Sequence, residues 1–163
     1  MNHLQSLVRY KQWANQLVYA AVMKMPNKEV VASRSIVFGS MIRTLHHTLA
    51  MDEVWRAHLQ NQSHGFTTRN PESCPTLGEL NVAQREMDAW YVTYVDGLSE
   101  SESREIIEFE FIGGRPGSMS RADMLIHVVH HGTYHRGNVT GMMYDCSVEP
   151  PTTDYSVFIT QEG

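Results

Sequence analysis

The sequence predicts an all-α fold: one four-helix-bundle domain over residues 1–163, with a long connection between helices 2 and 3 and a short β-hairpin-like segment before helix 4. Three observations carry this expectation. Apolar residues recur at three- and four-residue steps in four separate stretches, as in helices that bury one face. Gly, Pro, Ser and Thr crowd the segment from Ser63 to Pro75, between the second and third stretches. Alternating apolar and charged residues from Ile106 to Ile112 run into Gly113-Gly114-Arg115-Pro116-Gly117, the pattern of a strand entering a turn.

In the first stretch, Leu4, Leu7, Val8, Trp13, Leu17, Val18, Ala21 and Val22 predict a helix from about His3 to Lys24, ended by Pro26-Asn27. Lys28 to Gly39 has no clear period and reads as a loop or a short helical turn. Met41, Ile42, Leu45, Leu49, Val54, Trp55 and Leu59 then mark a second helix from Ser40 to about Gln60. Thr76-Leu77-Gly78-Glu79 has the form of a capping box and starts a third, through Leu80, Met87, Trp90 and Tyr94 to about Asp96. The strand at 106–112 needs a partner that the pattern does not identify. Ser118 or Ser120 caps the fourth helix, which ends near Tyr144, and Val157-Phe158-Ile159 is expected to pack back as a tail. The long second connection allows parallel as well as antiparallel neighbours.

Composition narrows the function. Lys+Arg 13 against Asp+Glu 18 gives a net charge of -5 without long runs of either sign, which argues against nucleic acid as a partner. No segment has the apolar length to span a bilayer, and no basic-then-apolar leader opens the chain, so a cytoplasmic protein without membrane association is expected. Cys74 and Cys146 are far apart and lack metal-motif spacing; both are read as ordinary reduced thiols.

The chemistry concentrates in helix 4, where four of the nine histidines lie between Arg121 and Val139. His127, His131 and His135 are four residues apart, so on a helix they share one side. Two imidazoles at that spacing can both reach one divalent ion at about 2.0–2.1 Å. Projection at about 100° per residue places His131 and His135 in the sector of Met124, Val128, Val139 and Met142. His127 falls at its edge and His130 roughly opposite. Two rings on a buried face need partners, supplied by a metal or by a histidine hydrogen-bond network, unless they sit on a partly exposed helix edge. A third ligand has to come from elsewhere. His46 and His47 lead, and periodicity does not separate them; His58 and His64, at a helix end and in a loop, are expected to be solvated, and His3 lies near a terminus.

The string His127-Val128-Val129-His130-His131-Gly132-Thr133-Tyr134-His135-Arg136-Gly137-Asn138-Val139 resembles the hallmark helix of the DinB family of four-helix-bundle metalloproteins. Trp13-Ala14-Asn15, the interval from His47 to Trp55, and Pro150-Pro151-Thr152-Thr153-Asp154 resemble other family motifs, so the likeness covers nearly the whole length. The resemblance implies a divalent metal held by His47, His131 and His135, with His127 either orienting a ligand without binding the ion or serving as a packing residue; imidazole ligands suit zinc or nickel, and the sequence does not choose between them. His130 stands where the family often has Asn.

It also implies a homodimer and an activity like that of relatives that use a low-molecular-weight thiol: S-transfer from that small-molecule thiol to an electrophile. A metal-hydroxide hydrolase and a non-catalytic metal-binding dimerisation protein are the alternatives. No second catalytic group stands out. Asp52, Glu53 and Arg136 are candidates for a base or a substrate-charge partner, but helix-surface salt bridges are the expected role of each. Asn15 is expected to hydrogen-bond either in the cavity or to a neighbouring backbone. Tyr134 is placed on the side away from the metal, Trp13 and Trp90 in the core, and Trp55 in the core or at the pocket wall.

Overall fold

The computed structural model describes residues 2–162; Met1 and Gly163, the ends of the expected domain, lie outside them. The chain is mostly helical, with one small antiparallel hairpin. Its elements in order are α1 (His3–Val22), α2 (Asn27–Val31), α3 (Met41–Leu59), α4 (Leu77–Gly97), α5 (Glu100–Ser103), β1 (Ile106–Glu110), β2 (Pro116–Ser120), α6 (Arg121–Asp145) and α7 (Tyr155–Glu162). The four long helices are the four expected from periodicity, and α3 and α6 stop within a residue of the predicted ends. No helix is long and apolar enough to cross a membrane among the described residues.

Each long helix begins where a side chain satisfies its first free amides. Thr76 and Glu79 form the expected capping box, Asn2 and Gln5 form another, and Ser40 and Ser120 accept from the backbone N–H of Arg43 and Asp123. The partner of β1 is β2, paired from Ile106 with Ser120 to Glu110 with Pro116. Its Pro-Gly-Ser-rich sequence carries no strand signal, which is why the pattern did not reveal it. Ile107 and Phe109 of β1 turn inward while Ile106, Glu108 and Glu110 face out. An added Cβ at Gly117 would lie 2.6 Å from Phe109 Cζ and 2.8 Å from Phe111 Cε2, so the hairpin's aromatic packing requires glycine there. The tail is helical: Phe158 packs on Trp13 and Tyr10 of α1, and Tyr10 donates to the Thr153 carbonyl at 2.9 Å.

α1 packs on α4 and α6, and α3 packs on the same two helices from the other side. The apolar core between them includes Val18, Met41, Leu45, Leu80, Tyr91, Met124 and Val128. A charged network lies in the same interior. Lys11 on α1 donates to Asp52 on α3 at 2.7 Å and to Asp88 on α4 at 2.6 Å. Gln84 donates to both carboxylates, Asn15 donates to Asp88, and Arg136 on α6 donates to Asn15 Oδ1 at 2.9 Å.

This corrects the expectation for Asp52 and Arg136. They are 1% and 4% exposed and belong to the interior, not to helix-surface salt bridges. Asn15 bridges side chains and does not bond a neighbouring backbone. Burial disfavours the charge on Lys11, but the two carboxylates outweigh it and its pKa lies above the ordinary value. At Asp52 burial dominates and raises the pKa.

Candidate metal centre

α3 and α6 lie side by side and bring His47 against His131 and His135. One nitrogen from each of the three rings falls within 4.8 Å of the other two, an arrangement that could hold a metal ion. His47 Nε2 and His131 Nε2 are 3.2 Å apart, and the ring centroids of His131 and His135 are 4.5 Å apart. His46, one residue away on α3, is buried but outside this group, and its Nδ1 has no partner. Of the other histidines, His3 and His130 are exposed and His64 is half-buried.

The surroundings constrain the rings. His47 Nδ1 lies 2.6 Å from the Arg69 carbonyl oxygen. A carbonyl only accepts, so His47 carries its proton on Nδ1 and, in the neutral ring, presents the Nε2 lone pair to the site. Phe38 stacks on His47 with centroids 3.8 Å apart and fixes the plane of the ring. The Asn138 side-chain amide nitrogen is 3.3 Å from His135 Nδ1 and restrains that ring.

The pKa shifts point the same way. Burial, with His135 and His47 close by, lowers His131 to about 3. Burial and His47 lower His135 to about 4. Burial is also the largest influence on His47, and its pKa lies below the ordinary value. All three rings are therefore neutral at pH 7, the state a metal ligand needs. Three convergent neutral donors with no carboxylate among them fit a borderline divalent ion such as zinc or nickel.

The three histidines line a cavity of about 380 Å³. Met51, Val54 and Trp55 form buried wall, and Phe111 and Ile112 close over it from the hairpin turn. Val37 and Tyr134, 72% and 66% exposed, mark its mouth. Trp55 is thus a wall residue. Tyr134 borders the cavity, with its ring edge-on to His135 at 4.9 Å, contrary to the expected placement away from the site. His58 is 8% exposed and lines the cavity, where a solvated ring was expected. His127 stacks on His131 at 5.8 Å and packs on Trp55 at 4.5 Å, outside the ligand group. Glu53 is half-buried and does not line the cavity, and Trp13 and Trp90 are half-buried against the core.

Comparison with known proteins now decides the lineage, because the DinB family model matches residues 1–163. The chain belongs to the DinB family. This DinB-family chain is 24% identical over 159 residues to Protein DinB of Bacillus subtilis (strain 168), covering 94% of the chain and 91% of that protein. Its fold is similar to the crystal structure of a DinB-like protein from Bacillus cereus ATCC 10987, with TM-score 0.68 and 16% identity, over 88% of this chain and 91% of the other.

Sequence reasoning missed Phe38 and Arg69. Both lie outside the long helices, in segments without a period, and reach His47 only through the tertiary fold.

Proposed function

We propose that this DinB-family protein is a divalent-metal-dependent enzyme in which His47, His131 and His135 hold the ion, and that it transfers a low-molecular-weight thiol to an electrophile. The observation that supports this most is the meeting of three neutral imidazoles at the wall of a largely apolar, open cavity. A closed structural site has a full set of protein ligands, whereas three donors beside an open cavity leave positions for reactants. A bound divalent ion supplies Lewis acidity, which favours the ionised form of a thiol or water.

The chain's own part is to hold the donors neutral, fix the lone pair of His47 through the Arg69 carbonyl, and line the site with the apolar side chains of Met51, Val54 and Trp55. In the reaction the thiol loses its proton, sulfur bonds to the electrophilic carbon, and the leaving group departs with its electron pair. The apolar wall suits this reaction, since desolvation strengthens a sulfur nucleophile. We further propose a four-helix bundle made of α1, α3, α4 and α6, assembly as a homodimer, a cytoplasmic setting, and no role for nucleic acid.

The test is turnover by zinc- and nickel-loaded protein with a panel of small thiols and alkyl or aryl electrophiles. Conjugation that requires both the thiol and an intact His131 supports the reading. Ester cleavage that is indifferent to thiol would replace it with a hydrolase. Metal-dependent thermal stability with no turnover would leave a binding protein.

A further inference from the structure

We propose that the substrate drawn into this cavity is an apolar, ring-sized molecule carrying an anionic group, and that Arg69 at the mouth is the residue that selects the anion. This rests on the reading of the cavity as the substrate site and extends it to the class of co-substrate. The walls set the first half. Phe38, Met51, Val54, Trp55, Phe111 and Ile112 offer aromatic faces and alkyl groups, and a space of about 380 Å³ admits a ring system with short substituents.

Charge sets the second half. The lining contains no Asp or Glu, and Arg69 is its one Lys or Arg. The guanidinium of Arg69 has no ion pair or hydrogen bond among the described residues. Arg9, Arg34, Arg104 and Arg121 each pair with a carboxylate, Arg43 holds backbone carbonyls, and Arg136 is bound within the interior network; Arg56, Arg85 and Arg115 are unpaired as well, but of these arginines Arg69 alone lines the cavity. Three neutral ligands would leave a divalent charge uncancelled, so the cavity repels a cation and gives a neutral ligand nothing to pair with Arg69. A carboxylate or sulfonate matches the planar donor fork of arginine.

The position of Arg69 is built into the fold. Its carbonyl accepts from His47 Nδ1, and Arg43 on α3 clamps the same loop by donating to Asn70 Oδ1 at 2.6 Å and to the Pro71 carbonyl at 2.7 Å. Because the contact to His47 is made by backbone, replacing the Arg69 side chain leaves the hydrogen bond to His47 Nδ1 in place.

The experiment is fluorescence titration of zinc-loaded protein with two probes that differ by one anionic group: 1-anilinonaphthalene-8-sulfonate and neutral N-phenyl-1-naphthylamine. The wild type is expected to bind both, each displacing the other. Arg69→Ala should weaken the sulfonate about two- to fivefold, the worth of an exposed ion pair, and leave the neutral probe unchanged. Arg69→Glu should weaken the sulfonate further, and Arg69→Lys should restore part of its binding. Equal loss of both probes in Arg69→Ala, no loss of either, failure of the probes to compete, or no binding to the wild type would each overturn the proposal. The titration uses neither thiol nor turnover, so a failed conjugation assay and a failed selectivity test remain distinct results.

Discussion

Two polar clusters lie within the helices, and their difference shows what kind of buried polarity calls for an outside partner. In the first, Lys11 and Arg136 meet Asp52 and Asp88 through Asn15 and Gln84, so donors face acceptors and two cations offset two anions. That cluster nearly satisfies itself; the atoms left over are Asp52 Oδ1 and Arg136 Nε. In the second, His47, His131 and His135 are neutral rings of one chemical kind whose nitrogens converge beside a cavity, with the Nε2 lone pair of His47 set by its bond to the Arg69 carbonyl. Donor facing acceptor ties helices together, whereas acceptor facing acceptor is a site for a cation.

The contrast can be broken first at Lys11. Lys11→Met leaves two carboxylates buried without their cation, and the expected loss is about 3–5 kcal/mol of unfolding free energy in urea denaturation. Below its denaturation midpoint this variant should still bind metal, because Lys11 contributes no nitrogen to the histidine group. A large loss of metal affinity with unchanged stability would mean that the two clusters are one functional unit. The next effect is at Asn138, which restrains His135. Asn138→Ala should weaken metal binding about 10- to 100-fold, the usual worth of a partner that orients a ligand, with little change in the stability of the metal-free protein. Competition titration against a chromophoric chelator checks this.

A third effect follows from protonation. The unfolded rings titrate near 6.5, whereas His131 and His135 in the fold titrate at about 3 and about 4. Between those values the unfolded chain binds more protons than the folded one, so metal-free protein should lose stability as pH falls from 6.5 toward 4. His131→Phe, which keeps a ring but cannot titrate, should flatten that slope. An identical slope in the variant would place the pH dependence elsewhere.

The histidine half of this contrast was more legible in the sequence than the charged half. His131 and His135 share a buried face because residues four apart on a helix must, and the apolar residues around them showed which face it was. His47 was separated from His46 only by resemblance, since both lie off the centre of the α3 stripe. In the fold the choice follows from reach: His47 meets the Arg69 carbonyl and the α6 rings, while His46 is buried elsewhere. Asp52 and Arg136 were misplaced because a charged residue is exposed by default, and only the pairing of four helices makes their burial tolerable. His58, Tyr134 and Arg69 entered the cavity through contacts between distant segments, which no local period encodes.

The claim that three histidines from two helices make one metal site is tested most directly by elemental analysis of purified wild type beside His46→Ala, His47→Ala, His131→Ala and His135→Ala. The predicted result is one divalent ion per chain in wild type and in His46→Ala, with occupancy lost in each of the other three. Full occupancy in His47→Ala or His135→Ala, or loss confined to His46→Ala, would contradict it.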